Sequence, residues 1–175
     1  MRDLNYAILG FLYKKDKHGY VVFKEVSNQE GFGQIFRIKI GKLYSILNTL
    51  EENKYLSSHI KREGVKPPKK IFRITKTGYE AFEKWMENPV KHGRQIRSIL
   101  LMKLFFSARY LEFNENRVLT TQIEECKNWL ANINEHQKTS QQKNDFRYLV
   151  SEFRKSQIEA SISWLGWCKR RSFNA

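Results

Sequence analysis

Two cysteines, three prolines and nine glycines are all that 175 residues hold, and each scarcity excludes something. Cys126 and Cys168 have no CxxC pair and no Cys–His spacing that suits a metal, so both read as reduced thiols in helices. The histidines His18, His59, His92 and His136 are scattered along the chain. There is no glycine-rich phosphate loop, no nucleophile motif and no cluster of His, Asp and Glu, which argues against an enzyme and against a bound cofactor or metal. So few glycines and prolines leave little room for long structureless stretches. No apolar run approaches the roughly 20 residues that cross a bilayer. The apolar start, Leu4 to Tyr13, lacks a small-residue cleavage site and runs into Lys14-Lys15-Asp16-Lys17, so it reads as a core helix and not as a signal peptide. The expected compartment is the cytoplasm, with no membrane partner.

Acid is also short: 32 Lys and Arg stand against 18 Asp and Glu, a net charge of +14. Such a surplus attracts polyanions, nucleic acid foremost, with a membrane surface as the competitor. The two halves, 1–88 and 89–175, carry +7 each, but residues 37–76 alone hold 11 basic and three acidic residues. That segment therefore concentrates the charge.

What is present is periodic. Leu4, Ile8, Phe11 and Leu12 share one helical face, joined by Ala7. A basic turn follows, and Tyr20, Val22, Phe23 and Val26 predict a second short helix, with Gly31-Phe32-Gly33 as a loop. Ile40, Leu43, Leu47 and Leu50, with Ile46 nearby, predict a third helix whose other face offers Lys42, Ser45, Asn48 and Thr49, free of acid until Glu51 and Glu52. Such a face suits a major groove, where Lys reaches guanine acceptors and Asn reads adenine, although amphipathic helices of this kind are common. Leu56 to Lys61 and Lys70 to Ile74 then predict two strands joined by Arg62-Glu63-Gly64-Val65-Lys66-Pro67-Pro68-Lys69. Lys66, Lys69 and Lys70 on this basic hairpin are expected to bind phosphate. Thr75 is a good N-cap for the next helix, Thr77 with Glu80 also fits a capping box, and Phe82, Trp85 and Met86 give that helix its apolar face before Pro89.

The second half reads as helical throughout. Ile96 to Phe106 is apolar on several sides; Leu119, Ile123, Cys126, Leu130 and Ile133 form a short heptad seam; and Phe146 to Trp167 covers more than one face. Segments 109–117 and 134–145 read as polar connectors. So small a unit with multi-faced apolar helices suggests burial against a second copy.

Particular residues resemble the PadR family of bacterial transcriptional regulators in its long form with a helical C-terminal domain. They are Tyr6-Ala7-Ile8-Leu9-Gly10-Phe11-Leu12, His18-Gly19-Tyr20, Gly41-Lys42-Leu43-Tyr44-Ser45-Ile46-Leu47 with Leu50-Glu51, and Phe72-Arg73-Ile74-Thr75 with Gly78. Leu100 to Phe106 and Ser163-Trp164-Leu165 extend the match to the C-terminal half. Two departures stand out. Lys39 occupies a position where the family often has a capping Ser, and Lys66-Pro67-Pro68-Lys69 replaces a Gly-Arg-Pro-Arg wing, so no Arg is offered to a minor groove. The resemblance implies a mainly α fold with a small β-wing: a winged helix-turn-helix over 1–88 and an all-α dimerisation domain over 89–175. It also implies a homodimeric repressor on a palindromic double-stranded DNA operator, often released by a small molecule.

Lys42, Ser45, Asn48 and Thr49 are expected near base edges, Tyr44 reads as a phosphate or core contact, with its match to the family favouring phosphate, and Phe105, Trp129 and Trp164 are candidates to line a pocket for a small aromatic effector. Aromatic stripes at helical spacing are core more often than pocket, however. A non-specific RNA- or DNA-binding architectural protein would use the same basic surface without a defined operator, and a protein–protein adaptor would bind no nucleic acid.

Overall fold

The apolar spacing at the start of the chain becomes helix α1 (Asp3–Phe11), which buries Ala7, Ile8, Leu9 and Phe11. The computed structural model describes residues 3–62, 64, 67–139 and 145–171. Where the sequence predicts only a basic turn, Lys17 and His18 form a two-residue strand, β1. His18 then caps helix α2 (Gly19–Val26): its Nδ1 accepts from the Tyr20 N–H at 3.2 Å. The expected loop at Gly31–Gly33 tightens into a 3-10 turn over Phe32–Gln34 that drives Phe32 fully into the core.

Helix α3 (Ile40–Glu52) buries Leu43, Ile46, Leu47 and Leu50. Ile40, expected on the same stripe, is exposed. At one residue per ~100° it lies roughly 70° from the middle of the buried stripe. Lys39 sits at the N-cap without any side-chain bond, as the loss of a capping oxygen predicts. The helix ends in a Schellman-type motif: the Lys54 N–H donates to the Glu51 carbonyl and the Tyr55 N–H to the Leu50 carbonyl, both at 2.9 Å, with Lys54 at φ 61°.

Strands β2 (Leu56–Lys61) and β3 (Lys69–Ile74) form the wing, and β1 pairs antiparallel on the far side of β3, giving the order β1-β3-β2. The register sets Leu56 opposite Ile74, Ser58 opposite Phe72 and Ile60 opposite Lys70. These six share the inner face, of which Leu56, Phe72 and Ile74 are buried. Helix α4 (Lys76–Glu87) starts at Thr75, whose Oγ1 accepts from the Gly78 N–H at 3.1 Å and donates to the Lys54 carbonyl at 2.7 Å. A Cβ on Gly78 would lie 2.2 Å from the Tyr55 carbonyl oxygen, so a side chain is excluded there. Thr75 therefore starts the helix, and the Thr77–Glu80 alternative goes unused.

Past Pro89 come a 3-10 turn (Gly93–Gln95), a π-helical turn (Ile96–Leu100) and helix α5 (Leu101–Arg109). Packing does not divide at residue 88. Met102, Phe106 and Tyr110 are buried in the same core as α1 to α4, where Phe106 meets Phe11 and Phe82 edge-to-face at 5.2 and 5.3 Å. The Tyr110 hydroxyl donates to the Gly10 carbonyl at 2.8 Å, and Glu25 of α2 accepts from both Lys17 and Arg109.

A second core joins Val90, Ile96 and Leu100 to Leu119 and Cys126 of helix α6 (Glu115–Thr139) and to Ile158, Leu165 and Cys168 of helix α7 (Phe146–Lys169). Of the connector expected over 134–145, residues 134–139 continue helix α6, and 140–144 lie outside the described residues. Fully buried Gln122 ties α6 to the linker: its Oε1 accepts from the Val90 N–H at 2.8 Å and its Nε2 donates to the Val90 carbonyl at 3.3 Å. On α7, Phe146, Leu149 and Phe153 are 74%, 64% and 65% exposed. Among the described residues no helix is long and apolar enough to cross a membrane.

Candidate nucleic-acid interface

Burying one stripe of α3 turns the other outward, and Lys42, Ser45, Asn48 and Thr49 are all exposed. Arg37 and Lys39 are exposed on the approach to the helix, so its N-terminal end is basic. The Thr49 hydroxyl donates back to the Ser45 carbonyl at 2.9 Å, which leaves its oxygen as an acceptor. The amide of Asn48 and the ammonium of Lys42 extend from adjacent turns.

Tyr44, expected at phosphate or in the core, packs on the core side. Its ring is half-buried on the fringe of the first core, over the start of α2. A Cβ on Gly19 would come within 2.7 Å of the Tyr44 ring and 3.1 Å of its hydroxyl oxygen. His18-Gly19 and Tyr44 thus form one contact between α2 and α3, and a side chain at residue 19 would push the Tyr44 ring aside.

Lys69 is exposed and stands opposite Lys61 across the ladder, with Arg62, Pro67 and Pro68 exposed beyond them. Lys66 lies outside the described residues. Lys70 is held differently. From the inner face of β3 its Nζ donates to Glu51 Oε2 at 2.6 Å and lies 5.0 Å from the centre of the Phe72 ring. The other oxygen of Glu51 accepts from the Ser58 hydroxyl of β2. The hydrogen bond from Lys70, then that from Ser58, hold the Glu51 carboxyl below its ordinary value of 4.5. One acid of α3 therefore grips both strands of the wing. Glu51 lies seven residues from Ser58 and 19 from Lys70, so no local pattern announces the contact.

The three effector candidates are not brought together. Phe105 packs on Phe11 and Phe32 at the edge of the first core, whereas Trp129 and Trp164 pack on the second. The Trp129 indole N–H is used by Glu125 at 3.1 Å. A cleft of about 490 Å³ opens elsewhere, between Asp3, Tyr6, Trp85, Asn88, His92 and Lys103. Lys103 is buried there, donates to the Asn88 carbonyl, and is pushed down to about 8 by burial.

With three helices, a basic wing and an outward polar helix face in place, likeness to known proteins becomes specific. Residues 8–84 match the Transcriptional regulator PadR-like family. The chain carries a PadR-like domain. That domain holds α2, α3 and the whole wing, and helices α5 to α7 follow it as in the long form. The chain is similar to the negative transcriptional regulator PadR of Bacillus subtilis, with 26% identity over 106 residues, 61% of this chain and 57% of that one. In sequence it thus spans somewhat over half the length of that relative. A protein of Lysinibacillus sphaericus is 26% identical over 97 residues, 55% of this chain and 84% of its own. The crystal structure of Bacillus subtilis PadR in complex with operator DNA aligns at TM-score 0.50 and 22% identity over 97% of this chain and 99% of that one, a likeness of fold along the full length.

Proposed function

We propose that this chain is a transcriptional repressor that binds double-stranded DNA in a sequence-specific manner as a homodimer. The observation that carries the reading is the exposed polar face of α3, free of acid from Lys42 to Thr49, together with the exposed Lys61 and Lys69 of the hairpin. Helix α3 enters the major groove, Lys42, Ser45 and Asn48 meet base edges, and Thr49 offers an acceptor. Lys69 and Lys66 meet phosphate and fix orientation. Tyr44 acts by holding α3 against α2. The apolar row Phe146, Leu149 and Phe153 on α7 supports pairing through the C-terminal helices. Two copies then present two α3 helices to successive major grooves about 34 Å apart, which calls for a palindromic operator. Such a protein works in the cytoplasm beside the chromosome. Its release by a small molecule is the part of the reading that stands on family resemblance alone.

A salt titration tests the charge assignment. Lys69→Ala lowers affinity for every duplex and flattens the dependence of log K on log salt by about 1.8 per dimer, one phosphate contact from each protomer. An unchanged slope removes Lys69 from the interface. Equal affinity of the wild-type chain for its own promoter and for random DNA supports an architectural protein instead.

A further inference from the structure

We propose that Glu51 is a positioning residue that sets the specificity of DNA binding: its carboxylate locks the wing onto α3 and withholds Lys70 from the phosphate backbone. The inference rests on the DNA-binding reading above. Glu51 Oε1 accepts from Ser58 on β2, and Oε2 accepts from Lys70 on β3 at 2.6 Å. Ser58 and Lys70 lie on the inner face of the hairpin, in neighbouring cross-strand pairs with Phe72 and Ile60. A single carboxylate thus spans the ladder and fixes both strands to the last turn of α3. The helix end fixes the carboxylate in turn, because the Glu51 carbonyl accepts from the Lys54 N–H at 2.9 Å in the motif that stops α3. Lys70 is also placed by the Phe72 ring, 5.0 Å from its ammonium, while 41% of the side chain stays exposed.

Two consequences follow. Paired with Glu51, Lys70 releases no counterion from DNA, so the wing binds less tightly to arbitrary sequence than its lysine content suggests. A wing held at one angle to α3 makes its phosphate contacts only in the register in which the α3 side chains meet the bases, and this couples the sequence-blind contacts to the sequence-reading ones.

The test uses the full chain, with wild type, Glu51→Gln, Glu51→Gln/Lys70→Gln and Ser58→Ala compared by fluorescence anisotropy on two duplexes of equal length. One carries a sequence selected by the wild-type chain and the other is random; both are titrated across a salt series. Glu51→Gln keeps the shape but frees the ammonium. It steepens the salt dependence by about 0.9 per protomer, raises affinity for the random duplex several-fold and lowers the ratio of selected to random binding. The steepening vanishes in the double variant. Ser58→Ala loosens the wing while leaving the Lys70 pair, so the ratio falls with the slope unchanged. Wild-type slope and ratio in a folded Glu51→Gln protein, or an unchanged ratio in Ser58→Ala, overturns the proposal while leaving the regulator reading intact. A wild-type chain that binds both duplexes equally removes the specificity claim together with that reading, and one that binds no duplex removes both outright.

Discussion

Replacing Lys103 with Met tests the energetics of the junction between the two cores. Among the described residues Lys103 is the only buried lysine; its ammonium donates to the Asn88 carbonyl and sits 5.0 Å from the centre of the Trp85 ring. Burial lowers it from 10.5 to about 8, with Asp3 pulling the other way. The folded-state value is therefore depressed for a base. Between about 8 and 10.5 the unfolded chain holds a proton that the folded chain has released, so stability rises with pH through that window. Going from about pH 7 to about pH 9, this one group adds on the order of 1 kcal/mol. At neutral pH the variant escapes the desolvation of a charge but strands the Asn88 carbonyl and loses the ring contact, two effects that largely offset each other. The pH increment is thus the discriminating quantity. Urea unfolding of both proteins at the two pH values measures it. Wild type gains on the order of 1 kcal/mol more than Lys103→Met. The Tyr13 phenol, raised to about 12 by burial and by the bond it donates to Glu83, titrates above the window in both proteins. Equal increments for the two would refute the reasoning.

Two further outcomes concern the C-terminal half. Gln122→Leu strands the N–H and carbonyl of buried Val90 and destabilises the fold by about 2–3 kcal/mol in urea unfolding; unchanged stability would show that water satisfies the linker as well as the amide does. Substituting Phe146, Leu149 and Phe153 together by Ser removes the exposed apolar row of α7 and converts the dimer to monomer in sedimentation equilibrium, with DNA affinity falling in parallel; an intact dimer would place the interface elsewhere.

Features encoded by neighbouring residues are the ones legible in the sequence. The stripe of α3 repeats every three or four residues, the wing alternates, and the Thr75 cap lies three residues from its partner Gly78, so each leaves a local signature. Strand β1 does not, because two residues cannot display alternation and their partners Ile71 and Phe72 lie more than 50 positions away. The grip of Glu51 on Lys70 and Ser58 is hidden for the same reason. Pro89 ends α4 and suggests a division there, yet Phe106 and Tyr110 return to the first core, a packing choice made by tertiary contact and not by backbone propensity. Polar composition at 134–139 imitates a connector although the backbone there is helical. Phe105 packs on the first core and Trp129 and Trp164 on the second, a separation that spacing along the chain does not display.

The central claim, that the outward face of α3 reads bases, is tested most directly by selecting bound sequences from random duplex DNA with wild type and with Asn48→Ala. The account predicts a palindromic consensus for wild type and, for the variant, relaxed preference at one position in each half-site, with a loss of about 1–3 kcal/mol of discrimination there. No enrichment by the wild-type chain, or an identical consensus from both proteins, would contradict it.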